Sequence, residues 1–393
     1  MSHEVKLILR DGTELGSWDR YTIAIDMLSV GAPWTFSVWR SERVGQDSEA
    51  YSWSEVLGKV KLYDSLRVEI DGTVQLCGVI EERKPSHSRD GAVLVISGRD
   101  ATALALECDA DPRSVLTNST LTDSLEALFR PIGVPVRFLS GANASSAARG
   151  QSALRSLSQT RRRHQVRHHR SRAGEKIWQA AEAIARRYGY MLWAGPSQDG
   201  FTVICDVPDY ESSSVFTLKH AQQNGFTTSD SNVLSAELSE VVRGVPTEVV
   251  AFARAPRGNS SSARYAARQT NSELPRYSTV TSSLPSVLRV IQPRRAGSST
   301  SSQQEAVREQ NRAMRDWRSY TCTVAGHSQE VAGKQAIYAV NTMCDVRDDI
   351  LGLDEPMLLL SATFEGTRTG GQTTKLKLGT RDSIQLTPEP EDG

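Results

Sequence analysis

Along its first hundred residues the chain alternates apolar and polar positions with a period of two. In Leu66-Arg67-Val68-Glu69-Ile70 every second residue is apolar and the residues between are charged, the pattern of a strand with one buried and one wetted face. Asp71-Gly72 follows, a pair suited to the left-handed turn of a two-residue hairpin, and Thr73 to Cys77 supplies the return strand. Val5 to Leu9 closing on Asp11-Gly12, Tyr21 to Asp26, Trp34 to Arg40 and Val93 to Ile96 carry the same β-branched and aromatic signal. These residues predict a small β-barrel or closed sandwich over residues 1–100.

The period changes after Asp100. Leu121, Leu125 and Leu128 fall on one helical face, with Thr122 and Asp123 near its start and Pro131 just beyond its end. A longer helix is expected from Glu175 to Tyr188, burying Ile177, Trp178, Ala181, Ile184 and Ala185, and Gly189 stands where a left-handed C-terminal cap is usual. Tyr190 to Trp193 and Phe201 to Cys205 flank Gly195-Pro196-Ser197-Gln198-Asp199-Gly200, a hairpin signal, so residues 101–208 read as a mixed α+β domain.

Strands return at Ser213 to Leu218 and Leu234 to Ala253. Gly258-Asn259-Ser260-Ser261-Ser262 and Gly297-Ser298-Ser299-Thr300-Ser301-Ser302 read as exposed connections, and an amphipathic helix is expected from Gln303 to Trp317. In the last quarter, Thr321 and Thr323, then Thr374, Leu376 and Leu378, suit a pleated surface with one buried face, and Gly370-Gly371 signals a tight turn. The tail Pro388-Glu389-Pro390-Glu391-Asp392-Gly393 predicts disorder. Gly91 to Asp100 and Gly370 to Asp382 both run from Gly through an alternating strand to Gly and Arg-Asp, an echo that chance explains about as well as duplication does.

With 393 residues, 38% of them hydrophobic, the chain can bury several cores, and its 46 basic and 46 acidic residues cancel. Attraction to nucleic acid or an anionic membrane must therefore be local. Cys77, Cys108, Cys205, Cys322 and Cys344 form no CxxC pair, which fits reduced thiols in a protein made in the cytoplasm. Neither a signal peptide nor an apolar run long enough to span a bilayer is visible, so membrane insertion is not expected and the sequons at Asn118, Asn143 and Asn259 should carry no glycan.

One segment stands out against this neutral background. Arg161, Arg162, Arg163, Arg167, Arg170 and Arg172, interleaved with His164, His168 and His169, could neutralise several phosphates or meet an acidic protein. A solvated loop explains the run as simply, and no aromatic residue lies among these arginines to stack a nucleobase. The histidines could pair at helical i,i+4 spacing, but flanking arginines would repel a divalent cation, and no HExxH motif occurs, so no metal or cofactor is expected. No GxSxG or phosphate-binding Gly-rich loop is present. Glu81, Glu82, Asp345, Asp348 and Asp349 could supply an acid and a base for glycan hydrolysis, but spacing selects no pair among them, and the Asp345 to Asp349 group reads better as a surface ion-pair cluster.

Leu66 to Gly78 with its Asp-Gly hairpin, Ser97-Gly98-Arg99-Asp100-Ala101, the Trp178 helix leading to Tyr188-Gly189-Tyr190, and the Tyr320 to Leu378 region come in an order that resembles the late control D family of phage tail proteins, the baseplate hubs of Mu-like contractile tails. A relative of that architecture is the N-terminal half of type VI secretion spike proteins. The resemblance implies a mainly β fold with α+β insertions: two tube-like antiparallel β-barrels, one from residues 1–100 and one from 209–242 with 306–385, and peripheral material at 101–208 and 243–305. It further implies a non-enzymatic homotrimer whose six barrels form a pseudo-sixfold ring between the tail tube protein and the central spike protein. Other baseplate proteins would be neighbours, DNA would pass through the ring, and the protein would reside in the virion. The Arg/His run is no part of the family pattern. A tail-associated cell-wall hydrolase and a DNA-contacting protein remain the alternatives.

Overall fold

Asp71 and Gly72 both take positive φ, 48° and 74°, the geometry that lets two residues reverse a strand without splaying its partner. The hairpin they close belongs to a 13-stranded sheet. The computed structural model describes residues 3–16, 18–40, 57–89, 91–113, 115–137, 165–197, 200–223, 226–242, 245–254, 264–270, 288–291, 302–303, 305–307, 309–310, 317–380 and 384.

The first half of the large sheet holds β1 (Val5–Leu9), β2 (Glu14–Leu15), β3 (Arg20–Asp26), β4 (Pro33–Arg40), β5 (Ser65–Ile70), β6 (Thr73–Ser88) and β7 (Gly91–Asp100). Its second half holds β8 (Phe216–His220), β9 (Val233–Glu240), β10 (Arg318–Ala325), β11 (Met343–Asp348), β12 (Leu353–Thr367) and β13 (Gly371–Thr380). The order is β9-β10-β13-β12-β3-β4-β7-β6-β5-β1-β2, with β11 beside β12 and β8 beside β11. The two halves are thus sewn together where β12 meets β3. The β8–β11 pair is parallel, against the all-antiparallel expectation; more than a hundred residues separate the two strands, ample chain for a crossover.

Alternation sets the inner face. Ile23, Trp34, Phe36, Val68, Leu94 and Ile96 from the first half share one apolar core with Tyr320, Cys322, Phe364, Leu376 and Leu378 from the second. Thr321 and Thr323 lie on the other face, opposite Lys377 and Lys375. Across that outer face one row of neighbours runs Ala325, Thr373, Glu365, Thr22, Thr35, Ser97, Glu82 through six pairings and both halves.

The α+β part forms as its periodicity dictates. Helix α1 (Leu121–Phe129) is capped by Thr120, whose hydroxyl accepts the Asp123 N–H at 3.1 Å. Helix α2 (Ile177–Arg187) ends before Gly189 at φ 76°, and Phe129 meets Trp178 edge-on at 6.0 Å between centroids. The strands Met191–Ser197 and Gly200–Asp206 form the expected hairpin. The stretch from Leu234 to Ala253 is two strands rather than one: β9 stays in the large sheet, while Glu248–Arg254 joins Arg264–Thr270 and Leu288–Ile291 in a separate sheet. Residues 302–303, 305–307 and 309–310 are helical, as expected there, and Ala306 packs on Val249 and Ala251. The 258–262 connection, most of the 297–302 connection and the tail 388–393 lie outside the described residues.

Candidate assembly surface

Residues 63–100 and 341–380 build one unit twice. Tyr63 and Asn341 each stand two positions before a strand in the left-handed region, φ 64° and 61°. Each donates its backbone N–H to the long strand beyond, Tyr63 to Ile80 O at 2.8 Å and Asn341 to Leu359 O at 2.9 Å. The long strand answers from the same residue, Ile80 N–H to Asp64 O at 3.0 Å and Leu359 N–H to Thr342 O at 2.9 Å. One residue later both long strands bulge, at Glu81 opposite β7 and at Leu360 opposite β13. Both then turn, Ser88 opposite Gly91 and Thr367 opposite Gly371. The flanking order also matches: β3-β4-β7-β6-β5 against β9-β10-β13-β12-β11. This register places Gly98-Arg99-Asp100 beside Leu378-Gly379-Thr380, which corrects the alignment of Gly98 with Gly379 and of Arg99-Asp100 with Arg381-Asp382 that the sequence echo suggested.

In the first unit the Gly-Arg-Asp motif is structural. Trp34 lies across Gly78 and Gly98 and donates its indole N–H to Arg99 O at 3.1 Å. Asp100, 1% exposed, accepts the Ala32 and Thr102 N–H groups at 2.7 Å each, as well as the Thr102 hydroxyl. Burial pushes its carboxyl up, and these hydrogen bonds oppose the shift. Arg99 pairs with Glu81 at the bulge and with Glu107. At the matching position of the second unit, Tyr320 donates to Asp348 Oδ2 at 3.0 Å.

Across the seam, Tyr21 faces Gly366. A Cβ on Gly366 would stand 2.3 Å from the Tyr21 ring, so only glycine lets that ring cross. Beneath it lies a buried polar chain. Thr374 Oγ1 donates to Gly326 O at 2.6 Å, so it accepts from His327 Nδ1 at 3.0 Å. His327 Nε2 is then bare and accepts the Tyr21 hydroxyl at 2.7 Å, while the Tyr21 oxygen accepts from Gln372 Nε2 at 2.9 Å. The geometry requires a neutral imidazole. Burial first, then neighbouring His3, hold its pKa down to about 4. No motif marks His327, Tyr21 or Gln372 in the sequence, because Tyr21 lies 306 and 351 residues from the other two and Thr374 lies 47 from His327.

The candidate carboxylates are engaged. Glu82 bonds Ser97 and Lys84, and Asp345 pairs with Arg347 at 2.8 Å. Asp348 departs from the surface-cluster expectation: it is 2% exposed and accepts the N–H groups of Ile350 and Leu351 besides Tyr320. Asp349 Oδ2 accepts the Gln222 N–H at 2.9 Å.

The basic segment is only partly a loop. Gln165–Arg170 is a strand paired antiparallel with Val115–Thr120, so the backbone there is extended and a helical i,i+4 spacing does not arise. Arg167 lies in this strand. The Arg170 guanidinium donates to Pro112 O at 3.1 Å, and Arg172 is exposed beyond the strand end. Arg161, Arg162, Arg163 and His164 lie outside the described residues. Among the described residues no group of His, Cys, Asp and Glu has metal-binding geometry, and no helix is long and apolar enough to cross a membrane. All five cysteines are free thiols; burial pushes Cys322 up to about 12.

The chain as a whole shares its fold with tail proteins of Mu-like prophages and with type VI secretion spike-related proteins. The 43 kDa tail protein of prophage MuSo2 from Shewanella oneidensis superposes with a TM-score of 0.73 at 19% identity over 98% of this chain and 100% of its own. A tail protein of Neisseria meningitidis MC58 gives 0.70 at 21% identity, over 99% of each chain. The Escherichia coli c3393 protein, a type VI secretion component described as similar to the T4 tail proteins gp27 and gp5, gives 0.54 at 9% identity, over 98% of this chain and 80% of its own. No family model and no curated protein sequence matches the chain.

Proposed function

We propose that this protein is a structural subunit of a contractile phage tail, a homotrimeric baseplate hub that joins the sixfold tail tube protein to the threefold central spike protein. The observation that carries the reading is the repeated unit: with two equivalent bulged strand units per chain, three chains present six to a sixfold partner and three to a threefold one. The units would belong to two tube-like domains, residues 1–100 and residues 209–242 with 306–385. Residues 101–208 and 243–305 would be peripheral. Other baseplate proteins would pack around the ring, DNA would pass through it, and the site of action is the virion. The Arg/His strand and its flank are left for a peripheral partner. The engaged carboxylates give the hydrolase alternative no support.

Mass measurement in solution followed by imaging tests the reading. Particles of three chain masses with six lobes are expected, and they should bind tube and spike proteins. A chain that stays monomeric at every concentration and with both partners would overturn it.

A further inference from the structure

The repeat leaves one strand flank without its counterpart. In the second unit, β12 pairs with β11 before its bulge and with β3 after it, from Ser361 to Thr367. In the first unit, β6 pairs with β5 before its bulge, but after it no described strand occupies the flank of residues 82–88 that lies away from β7. Glu82 to Ser88 are all exposed, whereas the matching Ala362, Phe364 and Gly366 are buried. The strand equivalent to β3 is β9, and among the described residues it is the terminal strand of the sheet, paired with β10 alone. One chain therefore carries an open flank and a spare strand that match the two sides of its own internal seam.

We propose that β9 of one copy adds to the residue 82–88 flank of β6 in the next, repeating between chains the β3–β12 pairing within each chain. The proposal rests on the ring reading and names its joint. The register follows from the internal seam. Tyr21 faces Gly366, Thr22 faces Glu365 and Ala24 faces Thr363. Carried through the repeat, Ala236 faces His87, Glu237 faces Ser86, Leu238 faces Pro85 and Ser239 faces Lys84. The faces agree: half-buried Ala236 and Leu238 pack on the core of their own half, and this register sets them beside the uncovered Pro85 and His87. Charge adds only a little: exposed Glu237 approaches Lys84, which is already paired with Glu82 at 2.7 Å, while Arg83 donates to Leu57 O and Val60 O and Glu240 pairs with Arg318 within their own chain. Pro85 withholds one donor from the ladder and also keeps the flank from pairing indiscriminately before assembly. A joint of this kind is head-to-tail, so it excludes a two-fold dimer and builds a ring where the rotation between copies closes.

Disulfide trapping in the full chain, with exposed Cys108 replaced by Ser, tests the register. Ser86→Cys with Glu237→Cys, and separately Lys84→Cys with Ser239→Cys, should close between copies on mild oxidation and give covalent dimers and trimers. Closure should be roughly tenfold or more faster than for the shifted pair Ser86→Cys with Ser239→Cys. Mixing chains of two isotopic masses confirms that the bond joins different copies. A trimer whose in-register pairs close no faster than the shifted pair overturns this joint and leaves the ring standing. A chain that never leaves the monomer overturns both.

Discussion

Gly98→Ala lowers the stability of the chain by about 3 kcal/mol or more, the upper range for forcing volume into a packed core. A Cβ there would stand 2.1 Å from Val79 O and 2.8 Å from a ring carbon of Trp34. Neither neighbour can yield. Val79 is in the β6 ladder, and the Trp34 ring, 1% exposed, is pinned by its bond to Arg99 O. Relief would need β6 and β7 to part at the bulge, where Arg99 and Glu81 also meet. Denaturant unfolding measures the loss. Gly16→Ala is the control, because nothing lies within 4 Å of a Cβ there and its change should be within about 0.5 kcal/mol. Equal midpoints for the two variants would show that the Trp34 crossing does not hold the first unit together.

The second large effect is on pH dependence. His327 has its folded pKa held down to about 4, from an ordinary value of 6.5. Between those values the unfolded chain binds a proton that the folded chain refuses, so stability is full above about pH 6.5 and falls as the pH drops towards 4. At 1.36 kcal/mol per unit, the loss is about 3 kcal/mol. It should be read as a fall in the unfolding midpoint through that window. His327→Gln should flatten this part of the curve, since glutamine carries no titrating ring; it should also lower stability at pH 7, because the Tyr21 to Thr374 chain is then incompletely bonded. An unchanged slope in the variant would assign the acid sensitivity to other groups.

Much of the strand inventory is legible in the sequence because one-residue alternation and the Asp71-Gly72 pair act locally. The helices at Leu121 and Ile177 are equally local, each written in its period and its stop signal, Pro131 for the first and Gly189 for the second. The Arg/His segment misled on structure because charge says only that side chains must reach water, and an edge strand satisfies that as well as a loop does. Asp348 misled for the converse reason. Its charged neighbours suggested a surface, while its actual partners are the N–H groups of the turn that follows it and the Tyr320 hydroxyl, which the packing of β10 brings from 28 residues away.

What the sequence determined by itself is the kind of most elements, the Arg/His strand apart, and which side of them avoids water, since both follow from nearest neighbours along the chain. Which strands lie side by side was decided only by the tertiary structure. The β3–β12 seam joins residues more than three hundred positions apart, and its specificity resides in a glycine that makes room for Tyr21 and a histidine that must stay neutral. The repeat was hidden for the same reason. Its two copies share backbone bonds, left-handed turns and bulges, which any alternating sequence can adopt, and share few side chains that a linear comparison could find.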